Sequence, residues 1–278
     1  MSVRTQRVPV PGGPPAVEVR NPAGSVTVDA VEGASEVVVT IEPLNEAAEH
    51  EVDLVDVEAT ASAVRVRVPE RRLSRSPAFA VAVSTPPDGP VVVSTASGDS
   101  SLRGRLGRVV LTSASGDVAV EHCTTLQARA ASGDVRVGEV TGAATVGTAS
   151  GDVRLESAGG PLEVRTASGD LVIGDAAGDV RARTASGDVR VERAARGTLR
   201  LTTVSGDVTV GVERGLRVRL DVQTLTGHWV SELTEEAPGA AEGDTAALTL
   251  FLQSVSGDLR VHRATASTPP APETSLAS

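Results

Sequence analysis

The stretch PLEVRTASGDLVIGDAAG, Pro161 to Gly178, decides the fold. Leu162 and Val164 alternate with Glu163 and Arg165, and Leu171 and Ile173 resume the alternation after Gly169-Asp170. Period-2 alternation of branched apolar residues predicts strands. The unit therefore holds two short strands, separated by a Ser-Gly-Asp corner and by a second glycine corner. A unit this short cannot bury its own apolar face, but stacked copies can.

The copies are present. The Ser-Gly-Asp glycines are Gly98, Gly116, Gly133, Gly151, Gly169, Gly187, Gly206 and Gly257, and the first seven are 18, 17, 18, 18, 18 and 19 residues apart. A degenerate copy, LTGHW, puts Gly227 in the same slot, 21 residues after Gly206 and 30 before Gly257. The second corner carries Gly142, Gly160, Gly178, Gly197 and Gly215. Glycine at both corners predicts positive φ at both. The expected fold is all-β: a parallel β-solenoid (a single-stranded β-helix) of about nine coils of some 18 residues, with an irregular N-terminal β cap. At roughly 4.8 Å per coil it would be about 40 Å long.

The predicted organisation is a flexible lead over 1–15, an N-terminal β cap and first coils over 16–90, solenoid repeats over 91–263, and a disordered tail over 264–278. Asn45 is a candidate N-cap for a helical interruption of the cap. An acidic insertion, 231–245, is expected between the coils of Gly227 and Gly257.

Tandem T-A-S-G-D-V coils after VEVRNPAGSVTVDAVEGASEVVVTI resemble the bacterial β-strand-repeat family of unknown function labelled putative adhesin. The resemblance spans roughly residues 16 to 262 and implies the architecture; no catalytic motif comes with it.

Composition narrows the function. The net charge is −10, every basic residue is arginine, and aromatics are 1% of the chain. That argues against nucleic acid, which needs positive faces and stacking platforms. The N-terminus has no apolar signal core and no apolar run reaches membrane-spanning length, so the expected location is cytoplasmic; a surface role would need non-standard export. Cys123 is alone and reads as a small wall residue. His50, His122, His228 and His262 share no motif with a nucleophile and read as surface residues.

The corner aspartates form a column from Asp99 to Asp258. Neighbours about 5 Å apart repel by roughly 1 kcal/mol in water and about 3 at an effective dielectric near 20. Backbone N–H groups at the turn can offset this, as can arginines two residues on. The candidate interaction lattice is accordingly Asp134, Arg136, Asp152, Arg154, Asp188 and Arg190, with Arg129, Arg165 and Arg183 on the incoming strand. Calcium is disfavoured because each corner offers few of the six to eight oxygens it takes. By strict alternation the Thr column (Thr148, Thr166, Thr184, Thr203) and the Ser column (Ser150, Ser168, Ser186, Ser205) both point inward.

No catalytic residue, cofactor site or metal site is expected. Hexapeptide acyltransferase coils need an apolar residue every sixth position, where this unit places Ser168 and Gly174 after Leu162. Carbohydrate-active β-helices use aromatic rows, which are missing. The expected function is a non-enzymatic scaffold or protein-interaction module with an unknown protein partner, as a monomer or end-to-end homo-oligomer. The alternatives are a polymer-forming scaffold, similar to bactofilins in coil length, and an acyl-transfer or carbohydrate-active β-helix enzyme.

Overall fold

The computed structural model describes residues 3–10, 12–60, 62–70, 77–233 and 248–264. The period-2 stretches are strands, and nearly all pair in parallel. In the central repeats the chain alternates between two faces. β10 (Val135–Val140), β12 (Val153–Ala158), β14 (Leu171–Ala176), β16 (Val189–Ala194) and β18 (Val208–Val212) follow Ser-Gly-Asp corners and stack on one face. β11 (Ala144–Ser150), β13 (Leu162–Arg165), β15 (Val180–Arg183) and β17 (Gly197–Thr202) precede those corners and stack on the other. The register is one repeat per layer: Val153 sits beside Leu171, and Leu171 beside Val189.

Earlier in the chain the two halves merge into long strands. β7 (Val91–Ser97) is followed by β8 (Ser100–Ser115) and β9 (Val118–Ser132), and each long strand serves one face and then the other. The inward columns of both faces close on one core of Val, Leu, Ile and Ala. Phe79 is the only fully buried aromatic among the described residues. Branched aliphatic side chains fill so narrow an interior without bulky rings.

The N-terminal end differs from the repeats. β2 (Ala16–Ala30) forms a complete layer, bending at Gly24, and pairs in parallel with β7 and β8. On its other side lie β5 (Ala63–Arg67) and β6 (Phe79–Thr85), also parallel. Beyond these the direction reverses. β3 (Glu36–Pro43) pairs antiparallel with β6, β4 (Asp56–Ala59) with β5, and β1 (Arg4–Pro9) with β3. β1 falls within 1–15, so that stretch contributes a strand instead of acting wholly as a flexible lead. Asn45 does cap the one-turn helix α1 (Glu46–Glu49), its Oδ1 accepting from the Ala48 amide at 2.9 Å.

The C-terminal layers are out of chain order, contrary to the sequential coils expected. β19 (Val218–Thr226) and β20 (Trp229–Ser231) do not stack on β17 and β18. β21 (Leu248–Ser256) and β22 (Leu259–Arg263) occupy that layer, so β21 lies between β17 and β19 and β22 between β18 and β20. The inward side chains rationalise the exchange. Leu248, Leu250, Leu252, Leu259 and Val261 are all buried in the covered layer, while Val218, Leu220 and Val222 are only partly buried in the terminal one. Residues 234–245 of the acidic insertion and residues 265–278 of the tail lie outside the described residues.

The glycine columns do different work. At the Ser-Gly-Asp corner the expected positive φ is present; Gly169 has φ +136°, and a Cβ there would stand 2.2 Å from the Gly151 carbonyl oxygen. The second corner corrects the expectation in part. Gly197 (φ +90°) and Gly215 (φ +78°) have positive φ, but Gly142, Gly160 and Gly178 do not. Glycine is needed there because layers approach closely: a Cβ on Gly160 would meet the Gly142 oxygen at 2.6 Å.

Gly169→Ala should therefore destabilise the protein by about 1–3 kcal/mol or more, through backbone strain with a clash against a fixed neighbour. Gly147→Ala, with nothing within 4 Å of its Cβ, should stay within about 0.5 kcal/mol of the parent. Urea denaturation of both variants checks this, and equal small effects would refute the corner's role.

Candidate interaction surface

The corner column is a hydrogen-bonded ladder along the outside of the molecule. From Asp117 onward, each corner aspartate amide donates to the carboxylate Oδ1 of the aspartate one layer earlier. The pairs are Asp117 on Asp99 (2.9 Å), Asp134 on Asp117 (3.0 Å), Asp152 on Asp134 (3.0 Å) and Asp170 on Asp152 (2.9 Å). They continue with Asp188 on Asp170, Asp207 on Asp188 and Asp258 on Asp207, each at 2.8 Å. Backbone N–H groups thus do offset the carboxylate repulsion, but they come from the next layer, not from the aspartate's own turn. His228 fills the aspartate slot of the last layer, and its amide donates to Asp258 at 2.8 Å.

The two hydroxyl columns separate at this corner. Thr148, Thr166 and Thr184 are buried, and each Oγ1 donates to the carbonyl two residues on, at Ser150, Ser168 and Ser186, at 3.1 Å. That local bond bends the chain and breaks the alternation. Ser150, Ser168, Ser186 and Ser205 are consequently exposed, against the expectation that they point inward.

The six lattice residues do not form a continuous Arg–Asp network. Arg136 brackets Asp134 at 2.8 Å and Asp117 at 3.3 Å. Arg154 and Arg190 make no ion pair with Asp152, Asp188 or any other described carboxylate. The tightest pairs lie elsewhere. Arg193 meets Asp175 with two bonds of 2.6 and 2.7 Å, which raise its pKa. Arg105 meets Asp88 at 2.8 and 2.9 Å, lowering the carboxyl's pKa through that hydrogen bond and raising the guanidinium's. Cys123 is buried at 3% exposure, and desolvation pushes its thiol up to about 11. That opposes thiolate chemistry.

Sequence reading did not isolate the field that stands out on the face of β13, β15, β17 and β21. Arg181 lies beside Arg200, and Arg183 lies between Arg165 and Thr202. Arg165 is neutralised by Glu163. Arg181, Arg183 and Arg200 have no carboxylate within 4.0 Å among the described residues. The Arg200 guanidinium sits 4.8 Å above the Phe251 ring. With Asp221, Gln223 and Gln253 these residues line a shallow groove of about 260 Å³, in which three guanidinium groups face one carboxylate. Phe251 reaches Arg200 only because β21 inserts next to β17, which explains why spacing alone could not reveal the field. A groove of about 460 Å³ on the other face is lined by Arg103, Arg136 and Arg154 together with Glu121 and Glu156, so it carries charges of both signs.

Residues 54–262 match the family described as Toastrack DUF4097. The chain belongs to this family. Three solved structures are similar across nearly the whole chain. The first, described as a putative adhesin from Bacteroides fragilis NCTC 9343, is 12% identical, covers 94% of this chain and 97% of its own, and has a TM-score of 0.47. The second, described as a putative lipid binding protein from Parabacteroides distasonis ATCC 8503, is 10% identical over 95% and 97%, with a TM-score of 0.44. The third, described as a putative cell adhesion protein from Clostridium sporogenes ATCC 15579, is 9% identical over 94% and 99%, with a TM-score of 0.27. No curated protein matches. Among the described residues of this Toastrack chain, no helix is long and apolar enough to cross a membrane.

Asp170→Ala removes the acceptor of the Asp188 amide and should cost about 1 kcal/mol. Asp170→Asn keeps an acceptor oxygen in the same place and should lie within about 0.5 kcal/mol of the parent. Thermal melts at matched pH would test this pair, and equal losses in both would show that charge, not the layer-to-layer bond, is what the corner needs.

Proposed function

We propose that this Toastrack protein is a non-enzymatic scaffold that holds an acidic segment of a partner protein against the field of Arg181, Arg183 and Arg200. One observation carries the reading: among the described residues three adjacent arginines have no carboxylate within 4.0 Å, on a chain of net charge −10. Like charges directly opposite one another across strands are destabilising, so the field is costly unless an anionic group meets it. Phe251 under Arg200 adds an apolar contact of the kind that anchors protein interfaces, where arginine and aromatic residues are enriched. Parallel strands fix Arg181 and Arg183 two residues apart on β15 and Arg200 beside Arg181 one layer on, which suits an extended acidic peptide.

The other two expectations find less support. Head-to-tail polymerisation needs ends that continue one another, and the N-terminal end carries antiparallel strands where the repeats are parallel. Catalysis on a β-helix needs reactive groups that converge. Cys123 is buried while its neighbour His122 is exposed, so the two do not face a common site.

The test is binding of a poly-glutamate peptide, measured by fluorescence anisotropy at low and high salt. We expect binding that weakens as salt screens the contact, and a loss of about tenfold or more when Arg181, Arg183 and Arg200 are all changed to Glu. Changing Arg154, Arg190 and Arg260 on the opposite face to Glu should leave most of it. Equal losses from both triple variants would reduce the effect to net charge and overturn the assignment.

A further inference from the structure

The terminal layer is unfinished. β19 pairs only with β21 and β20 only with β22, so among the described residues no strand covers their outer edge. The Leu248 amide donates to the Arg217 carbonyl, so that carbonyl faces inward. Strand alternation then turns the N–H and C=O groups of Val218, Leu220 and Val222 outward. The same residues are the end layer of the core, and they are only partly buried. Trp229, the chain's single tryptophan, occupies the inward column beside Leu259, yet it is 56% exposed because nothing described lies above it. Apolar end layers and bare strand edges template association.

Two features indicate what fits there. A further parallel layer would repeat the corner ladder, but the terminal corner carries His228 in place of aspartate and has no carboxylate to receive the next amide. Antiparallel pairing does not use that ladder. Moreover, β19 is complementary to itself. When two copies pair antiparallel with Leu220 opposite Leu220, the outward-facing backbone groups of Val218, Leu220 and Val222 meet as hydrogen-bonded pairs. That register also places Arg219 opposite Asp221 of the other copy, twice. Shifting the centre to Asp221 would instead set the two aspartates against each other. Arg219 and Asp221 are exposed, and neither has an ion-pair partner among the described residues.

We propose that a second copy of this chain occupies this end, joined β19 to β19 in antiparallel register about Leu220, as a closed two-fold dimer. The two cores then abut, and each Trp229 is covered by the partner's end layer. A two-fold contact uses the same patch on both copies and closes the assembly at two. This proposal does not depend on the acidic-partner reading: Asp221 lines the same groove as Arg181, Arg183 and Arg200, but self-association is measured with no peptide present.

The full chain can be tested by sedimentation equilibrium together with Trp229 emission over a concentration series. We expect a monomer–dimer equilibrium, with the emission moving to shorter wavelength as the dimer forms. Arg219→Asp and Asp221→Arg each replace two opposite-charge contacts by two like-charge ones, so each should raise the dissociation constant about tenfold. The double variant R219D/D221R should restore it. Both side chains point to solvent, so circular dichroism should show the fold unchanged in all three variants. A monomer throughout with solvent-type emission, assemblies larger than a dimer, or single variants indistinguishable from the parent would overturn the proposal.

Discussion

The amide of each corner aspartate is held by the carboxylate of the corner beneath it, and this contact organises the molecule. It requires a glycine just before the aspartate, because only glycine enters the positive-φ region cheaply. The same glycine has no Cβ to strike the carbonyl below; at Gly169 that distance would be 2.2 Å. With corner bonds of 2.8–3.0 Å from layer to layer, neighbouring strands on both faces are set in one register. A one-residue slip would turn every inward valine outward. The ladder thus secures the core as well as the corner.

Inside this frame the composition becomes intelligible. Each layer contributes a few branched side chains to a narrow interior. The threonine column closes that interior at the corner by bonding the carbonyls where the chain bends, as Thr166 does with Ser168 at 3.1 Å. Outside, the faces are free to vary, because the layers are already held by backbone and corner. Charge can therefore collect, as it does at Arg181, Arg183 and Arg200. The proposed acidic partner answers to that freedom, and the proposed dimer answers to its opposite, a place where the repeating constraint stops.

Much of the fold was legible because a fixed period carries long-range information in local form. The recurrence of Gly151, Gly169 and Gly187 specifies which residues become neighbours, and the alternation around Leu162 and Ile173 specifies which face inward. Three features were hidden. The order of the last layers could not be read from period alone, since parallel layers of similar pattern can be exchanged without changing any strand's own alternation. One sequence signal was available: His228 in the aspartate slot marks a corner on which no further layer can build. The outward turn of Ser168 was hidden because a side-chain-to-backbone bond at Thr166 overrides the strand's period. The arginine field was hidden because Arg200 and Phe251 come together only through the inserted layer. The candidate lattice at Arg154 and Arg190 failed for a related reason: spacing placed these arginines near Asp152 and Asp188 without showing that Oδ1 of each aspartate is already engaged.

The central claim is that these exposed corners are bonded as firmly as the core strands they connect. Amide hydrogen exchange measures this residue by residue, since an amide at a solvent-facing corner exchanges quickly unless it is held in a hydrogen bond. The account predicts that the amides of Asp152, Asp170 and Asp188 exchange as slowly as that of Leu171, which donates to the Asp188 carbonyl at 2.8 Å. Exchange of the three aspartate amides at the rate of an unfolded chain, with Leu171 still protected, would contradict it.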